Sequence, residues 1–265
     1  MIIFGKMDLK IKGKKVLVTG ASRGIGAAIA TCLANEGGQV AMAARSSPDL
    51  QKILKQLGGE KQGHRAVAID LTEDGAPVDL LHRLDQSGFG AIEIVVHNLG
   101  GTLEVRDPFC PISDWRKLYR LNFEVAVELN LLLVPSMQKR KWGRVVHISS
   151  ISGMENQGTV PYCSIKAALT AYTRSFGGVV APDGVVVSAV LPGAIFTEKG
   201  DWDRMQKESP AHVQKFLTER QRIGRFGKPE EIGHFVTFLC SNLASFNTGS
   251  IIPIDGGQGR GYFGQ

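Results

Sequence analysis

Lys15-Val16-Leu17-Val18-Thr19-Gly20-Ala21-Ser22-Arg23-Gly24-Ile25-Gly26 is the stretch that decides the fold. An apolar, β-branched run ends at Thr19 and enters a glycine-rich turn without a linker, and a helical stretch begins at Gly24. Glycines at such a junction permit a tight turn and let backbone N–H groups approach a pyrophosphate, while the helix N-terminus adds a favourable dipole. Gly20, Ser22, Arg23, Gly24, Ile25 and Gly26 are therefore expected to cradle a dinucleotide. The spacing departs from the G-x-G-x-x-G fingerprint. Taken alone the turn could be only a turn, so its weight depends on the rest of the chain.

Beyond Gly26 the chain is a repeating series. Strands are expected at 15–19, 40–44, 66–69, 92–97, 144–149, 185–191 and 250–254, mostly continuous apolar runs of the kind buried on both faces. Helices are expected at 24–36, 49–57, 77–85, 113–138, 162–179 and 229–239. Alternating strands and helices imply an α/β fold: one doubly wound Rossmann-type domain of about seven parallel strands with helices on both faces. No linker divides the chain. Residues 1–12 are read as an extension and 13–265 as the domain, with a polar, charged insertion at 196–226 as a substrate lid.

Composition excludes several functions. The 265 residues are 43% hydrophobic and 21% charged, an ordinary globular mixture. No apolar run is long enough for a membrane helix or a signal-peptide core, so no membrane partner and a cytoplasmic location are expected. Cys32, Cys110, Cys163 and Cys240 are scattered, which suggests reduced and mostly buried thiols, and the histidines lack ligand spacing, so no metal is expected. The net charge of +6 invites a nucleic-acid reading. The densest basic run, Lys139, Arg140, Lys141 and Arg144, has no interleaved aromatics, and is read as a solvated face at a helix end.

Two positions carry the chemistry. The second strand ends in Ala43-Ala44-Arg45-Ser46, with no carboxylate to accept from ribose hydroxyls. Arg45 and Arg23 offer forked donors suited to a 2′-phosphate, so NADP(H) is expected over NAD(H). Further on, Tyr162 and Lys166 stand four apart on one helix face, and Ser150 lies just past the fifth strand. An ammonium beside a phenol, together with an oxidised nicotinamide, would favour phenolate and lower its pKa. Such a tyrosine could serve as general acid/base, with the serine holding a substrate oxygen.

With these residues in place the chain resembles the short-chain dehydrogenase/reductase family from about Gly13 to Gly257. T-G-A-S-R-G-I-G at 19–26, D-L-T at 70–72, H-N-L-G at 97–100, L-N-F at 121–123 and I-S-S-I-S-G at 148–153 occur in order. They continue with Y-C-S-I-K at 162–166, L-P-G-A-I-F-T at 191–197, R-F-G-K-P-E-E-I-G at 225–233 and T-G-S-I-I-P-I-D-G-G at 248–257. The resemblance implies a catalytic set of Asn122, Ser150, Tyr162 and Lys166, with Asn122 holding a water in a proton relay. It implies that Asp70 and Leu71 border the adenine, that Asn98 to Gly100 line the crevice, and that Pro192, Gly193, Ile195 and Thr197 meet the nicotinamide end.

Departures from the family pattern are His97 and Leu99 in place of the usual asparagine and alanine, a loop one residue short before Tyr162, and Ser188 for a strand-six asparagine. His97 is expected to be a packed strand-end residue. Asp183 stands where carrier-protein reductases often have a basic residue, which disfavours an acidic carrier. The implied partners are a small carbonyl or alcohol substrate and, by family habit, a homotetramer or homodimer through the stripe Leu121, Val125, Leu129 and Leu132. A nucleotide-binding regulator on the same fold stays open as the alternative.

Overall fold

The computed structural model describes residues 8–261. Seven strands form one parallel sheet in the order β3-β2-β1-β4-β5-β6-β7. They are β1 (Lys15–Thr19), β2 (Gln39–Ala44), β3 (Arg65–Ala68), β4 (Ile94–His97), β5 (Gly143–Ile148), β6 (Val185–Pro192) and β7 (Ser250–Ile254). Each strand lies within two residues of its expected bounds at either end. The central strands are buried throughout, since a parallel sheet has helices on both faces and no wet side.

One face is covered by α1 (Gly24–Asn35), α2 (Ser47–Gln56) and α9 (Pro229–Leu239), around a core of Val16, Val18, Ile29, Leu33, Val40 and Val236. The other is covered by α3 (Ala76–Gln86), α5 (Val125–Lys139) and α6 (Val160–Val180), around Leu17, Leu80, Phe89, Val95, Leu129 and Val187. The strand order reverses between β1 and β4, and a crevice opens at their carboxyl ends, where doubly wound sheets bind ligands.

The helix expected over 113–138 is in fact two. α4 (Ile112–Tyr119) runs into a π-helical turn, Arg120–Glu124, before α5 begins. Asn122 sits in that turn, and its side-chain Nδ2 donates to the Leu118 carbonyl, the acceptor an α-helix would reserve for a backbone N–H. Hydrophobic periodicity does not register a one-residue widening of this kind, which is frequent at functional sites. Of the apolar stripe, Val125 and Leu129 belong to the core, whereas Leu132 and its neighbour Leu131 are exposed.

Three further expectations change. Ile11 is 1% exposed and packs with Val16 and Leu33, so the packed domain starts before Gly13. Residues 1–6, read as the extension proper, lie outside the described residues. Arg144 is 3% exposed, not part of a solvated face, although Lys139 and Lys141 belong to the surface. Of the four cysteines only Cys240 is fully buried. Among the described residues no helix is long and apolar enough to cross a membrane, and no cluster of metal-ligating side chains occurs.

The stretch 196–226 folds as α7 (Asp201–Glu208) and α8 (Pro210–Glu219). Trp202 packs at 4.3 Å from Phe216 and 4.8 Å from Phe226, ring centre to ring centre, so it both ties this segment together and lines the cleft. Arg204 ties α7 to the loop after β4 through Glu104.

Candidate active site

A cleft of about 1770 Å³ runs along the carboxyl ends of β1, β2 and β4–β6. Every sequence-predicted site residue lines it except Asn122, which stands behind its wall. At the first turn Gly20 and Gly24 take positive φ (64° and 56°), a region that L side chains rarely occupy. Gly26 is needed for a different reason. A Cβ there would lie 2.3 Å from the Gly20 carbonyl oxygen and 2.4 Å from Asn98 Nδ2, so only glycine lets α1 approach β4 this closely.

Asn98 acts on the cradle from behind. Its Nδ2 donates to the carbonyls of Thr19 (3.1 Å) and Gly20 (3.0 Å). The Thr19 hydroxyl accepts from the backbone N–H groups of Asn98 and Leu99, both at 3.1 Å. Thr19 thus joins the turn to the end of β4, a role that motif matching did not assign to it. An apolar strand ending in threonine beside the cradle was the available signal. Leu99 lines the cleft and also packs against the core on the far side of the sheet.

The end of the cleft beside β2 and β3 carries two arginines. Arg45 is largely exposed at the end of β2, 3.9 Å from Asp70. Arg23 reaches the Lys199 carbonyl across the cleft at 3.4 Å. Asp70 is engaged locally. Its Oδ1 accepts from the Thr72 hydroxyl (2.7 Å) and backbone N–H (3.0 Å), and these bonds with the Arg45 charge outweigh partial burial and lower its pKa. Leu71 is buried under the cleft floor.

At the other end, Thr159 precedes α6 in an extended conformation and Pro161 occupies its first turn, which places Tyr162 and Lys166 on successive turns of one face. Tyr162 lines the cleft together with Ser150, whose hydroxyl acts to lower the pKa of the phenol. Lys166 is buried, donates to the Ile148 carbonyl at 3.0 Å and lies 5.7 Å from the Tyr162 ring centre. Gly100 leaves it room: a Cβ there would stand 3.1 Å from its Nζ.

Asn122 is clamped to the backbone of Gly101, donating to its carbonyl at 2.9 Å and accepting from its N–H at 3.0 Å. Its side chain is thus occupied with protein partners, and it braces the cleft wall. The two serines separate. Ser149 is buried and its hydroxyl donates to the Lys166 carbonyl at 3.1 Å, while Ser150 opens to the cleft.

Burial sets the electrostatics of the pair. Burial pushes the Tyr162 phenol up to about 12, although the Ser150 hydroxyl acts the other way. Burial pulls Lys166 down to about 8. Desolvation disfavours the charged form of both groups. The phenol is therefore neutral at ordinary pH.

His97 belongs to a network closed off from the cleft. Its Nε2 meets Asn130 Oδ1 at 2.8 Å, Asn130 Nδ2 meets His147 Nε2 at 3.2 Å, and His147 Nδ1 meets the Thr173 hydroxyl at 2.8 Å. The two imidazoles stack at 5.0 Å. Ser188 is buried in β6.

The fold and this cleft define an oxidoreductase built on a dinucleotide-binding domain. Residues 20–258 match the family model described as "Enoyl-(Acyl carrier protein) reductase". The chain is 34% identical over 259 residues to a 3-oxoacyl-[acyl-carrier-protein] reductase of Aquifex aeolicus, covering 95% of this chain and 100% of that one. It also superimposes on L-sorbose reductase of Gluconobacter frateurii, solved with NADPH and L-sorbose, with TM-score 0.87, 32% identity and coverage of 96% and 100%. A 3-oxoacyl-(acyl-carrier-protein) reductase of Agrobacterium tumefaciens with NADP bound gives TM-score 0.86 and 30% identity over 94% of this chain and 96% of that one. The chain belongs to the short-chain dehydrogenase/reductase family.

Proposed function

We propose that this protein transfers a hydride between NADP(H) and a ketone or secondary alcohol, with Tyr162 as general acid/base. The observation that carries the reading is the convergence of Ser150, Tyr162 and Lys166 on the cleft, with the Lys166 ammonium 5.7 Å from the Tyr162 ring centre. The turn fits a pyrophosphate: Gly20 and Gly24 take positive φ where β1 enters α1, and Gly26 lets the helix N-terminus approach the sheet closely. Arg23 and Arg45 suit a 2′-phosphate, and the end of β2 holds Ala44 in place of an acid.

When bound, NADPH supplies the hydride. The Tyr162 hydroxyl, held neutral by burial, donates its proton to the carbonyl oxygen as that oxygen gains charge. Ser150 donates a second hydrogen bond to the same oxygen. Lys166, with a pKa near 8, remains mostly protonated at neutral pH and stabilises the phenolate left behind. Asn122 fixes Gly101, and Gly100 beside it, and so holds the wall that Lys166 passes under. The relatives named above act on a 3-oxoacyl group and on a ketose, which supports ketone reduction as the reaction class. A cytoplasmic homotetramer or homodimer accompanies this reading.

Tyr162→Phe tests it. Loss of the hydroxyl should lower turnover by about 10²–10⁴-fold with NADPH binding retained. Turnover near that of the wild type on any accepted ketone would refute the assignment. Tight NADPH binding with no turnover on a broad carbonyl panel by the unaltered protein would favour the nucleotide-binding regulator instead.

A further inference from the structure

At the opposite end of the sheet from the catalytic cleft, beside the amino ends of β5 and β6, lies a second cavity of about 320 Å³. It is lined by Trp142, Arg144, Gly184, Asn242, Ser245 and Thr248, among others. Arg144 decides its character. It is only 3% exposed, in the second position of β5. Nε donates to the Ser241 carbonyl at 3.0 Å and Nη1 to the Gly143 carbonyl at 2.9 Å. Among the described residues Nη2 has no protein acceptor, and no carboxylate lies within ion-pair distance of the guanidinium.

A guanidinium keeps its proton even when buried, so this is a buried positive charge with neutral partners only. Its surroundings do not neutralise it. The nearest titratable influence is Cys240, whose burial pushes its thiol up to about 12 and so keeps it neutral. Nearby acids are already committed: Glu93 to Lys14 at 2.8 Å, and Asp183 to Lys141 and to Gln138 Nε2. Trp142 offers its ring face to Arg144 at 4.7 Å, but the same ring also faces Lys14 at 4.0 Å. Cation–π contact recovers only part of the cost of removing such a charge from water. Asn242 gives its Oδ1 to Trp142 Nε1 at 2.9 Å, and among the described residues its Nδ2 donors have no protein acceptor. The cavity therefore presents donors and a net positive charge.

We propose that this cavity is a binding site for a compact oxyanion, a phosphate or carboxylate, held on the free Nη2 edge of Arg144. The volume admits such an anion, and the planar fork of arginine matches its oxygens. The site is separate from the catalytic cleft and does not depend on the reaction assigned to it.

The test uses the full-length protein saturated with NADP, so that Arg23 and Arg45 are already occupied. The midpoint of thermal unfolding is followed against inorganic phosphate, and separately against acetate, at constant ionic strength set with chloride. The expected result is a saturable rise of about 2–3 °C at ten times the dissociation constant. A rise with both ions marks a general oxyanion site, and a rise with phosphate alone marks a tetrahedral one. In Arg144→Met the rise should vanish. Should that variant not fold, phosphate titration of the tryptophan emission of the wild type, with the response absent in Trp142→Phe, reports the same binding. No saturable response, or an undiminished one in Arg144→Met, would overturn the site. So would a midpoint that ignores both anions and rises with protein concentration, because the charge would then be met by a second copy of the chain.

Discussion

His97 makes the stability of this protein depend on pH in a calculable way. Burial pulls its pKa from the ordinary 6.5 down to about 4, against a smaller opposite effect from Asn130. The folded imidazole thus stays neutral where the unfolded one takes a proton. Stability from this residue is present in full above pH 6.5 and is lost as pH falls toward 4, because the unfolded chain binds the extra proton. Over roughly pH 7 to 5 the loss comes to about 2 kcal/mol. His147 adds to it in the same direction, being buried beside His97 and near the Lys166 charge. Urea unfolding at about pH 7, 6 and 5 measures the effect as a shift in midpoint. His97→Asn removes one titrating group and keeps a polar partner for Asn130, so its midpoint should fall less steeply with acid, whatever its stability at neutral pH. Equal slopes for variant and wild type would show that desolvation does not hold the imidazole neutral. Since His97 precedes Asn98, which braces the cofactor turn, NADPH affinity should weaken over the same interval.

Arg45→Ala should weaken NADPH and leave NADH nearly unchanged, measured as the ratio of kcat/KM values; equal efficiency with both cofactors in the wild type would contradict the role of Arg45. Ser150→Ala should lower kcat more than cofactor affinity, whereas Ser149→Ala, which loses a buried bond to α6 worth about 1 kcal/mol, should mainly lower the unfolding midpoint. The reverse pattern would exchange the two serines. Gly26→Ala should abolish NADPH binding or destabilise the fold by about 1–3 kcal/mol, because its Cβ would meet the Gly20 carbonyl and Asn98; calorimetric binding equal to wild type would rule out the need for close approach. Ile112, Tyr119, Leu131 and Leu132 expose apolar surface on α4 and α5, so light scattering should give at least a dimer, and a clean monomer would leave that surface without a role.

The order of elements was legible because a parallel sheet buries both faces, so its strands stand out as unbroken apolar runs such as Ile94–His97 and Val185–Pro192. The cradle and the Tyr162–Lys166 pair were legible because local geometry alone brings them together: a turn of a few residues in one case, one helical turn in the other. What the linear pattern does not carry is direction and environment. Only the folded chain separates Ser149, turned into α6, from Ser150, turned into the cleft. Only there does Asn122 widen a helix and clamp Gly101, since its partners lie 4 and 21 residues away and the bonds compete with regular backbone pairing. The same holds for charge. The spacing of Tyr162 and Lys166 puts an ammonium near a phenol, but the burial that raises the one pKa and lowers the other depends on every element packed around the pair. Arg144 makes the point most simply. In sequence it ends a basic run, and in the fold its strand carries it into the interior, where it is 3% exposed and its charge has no carboxylate partner among the described residues.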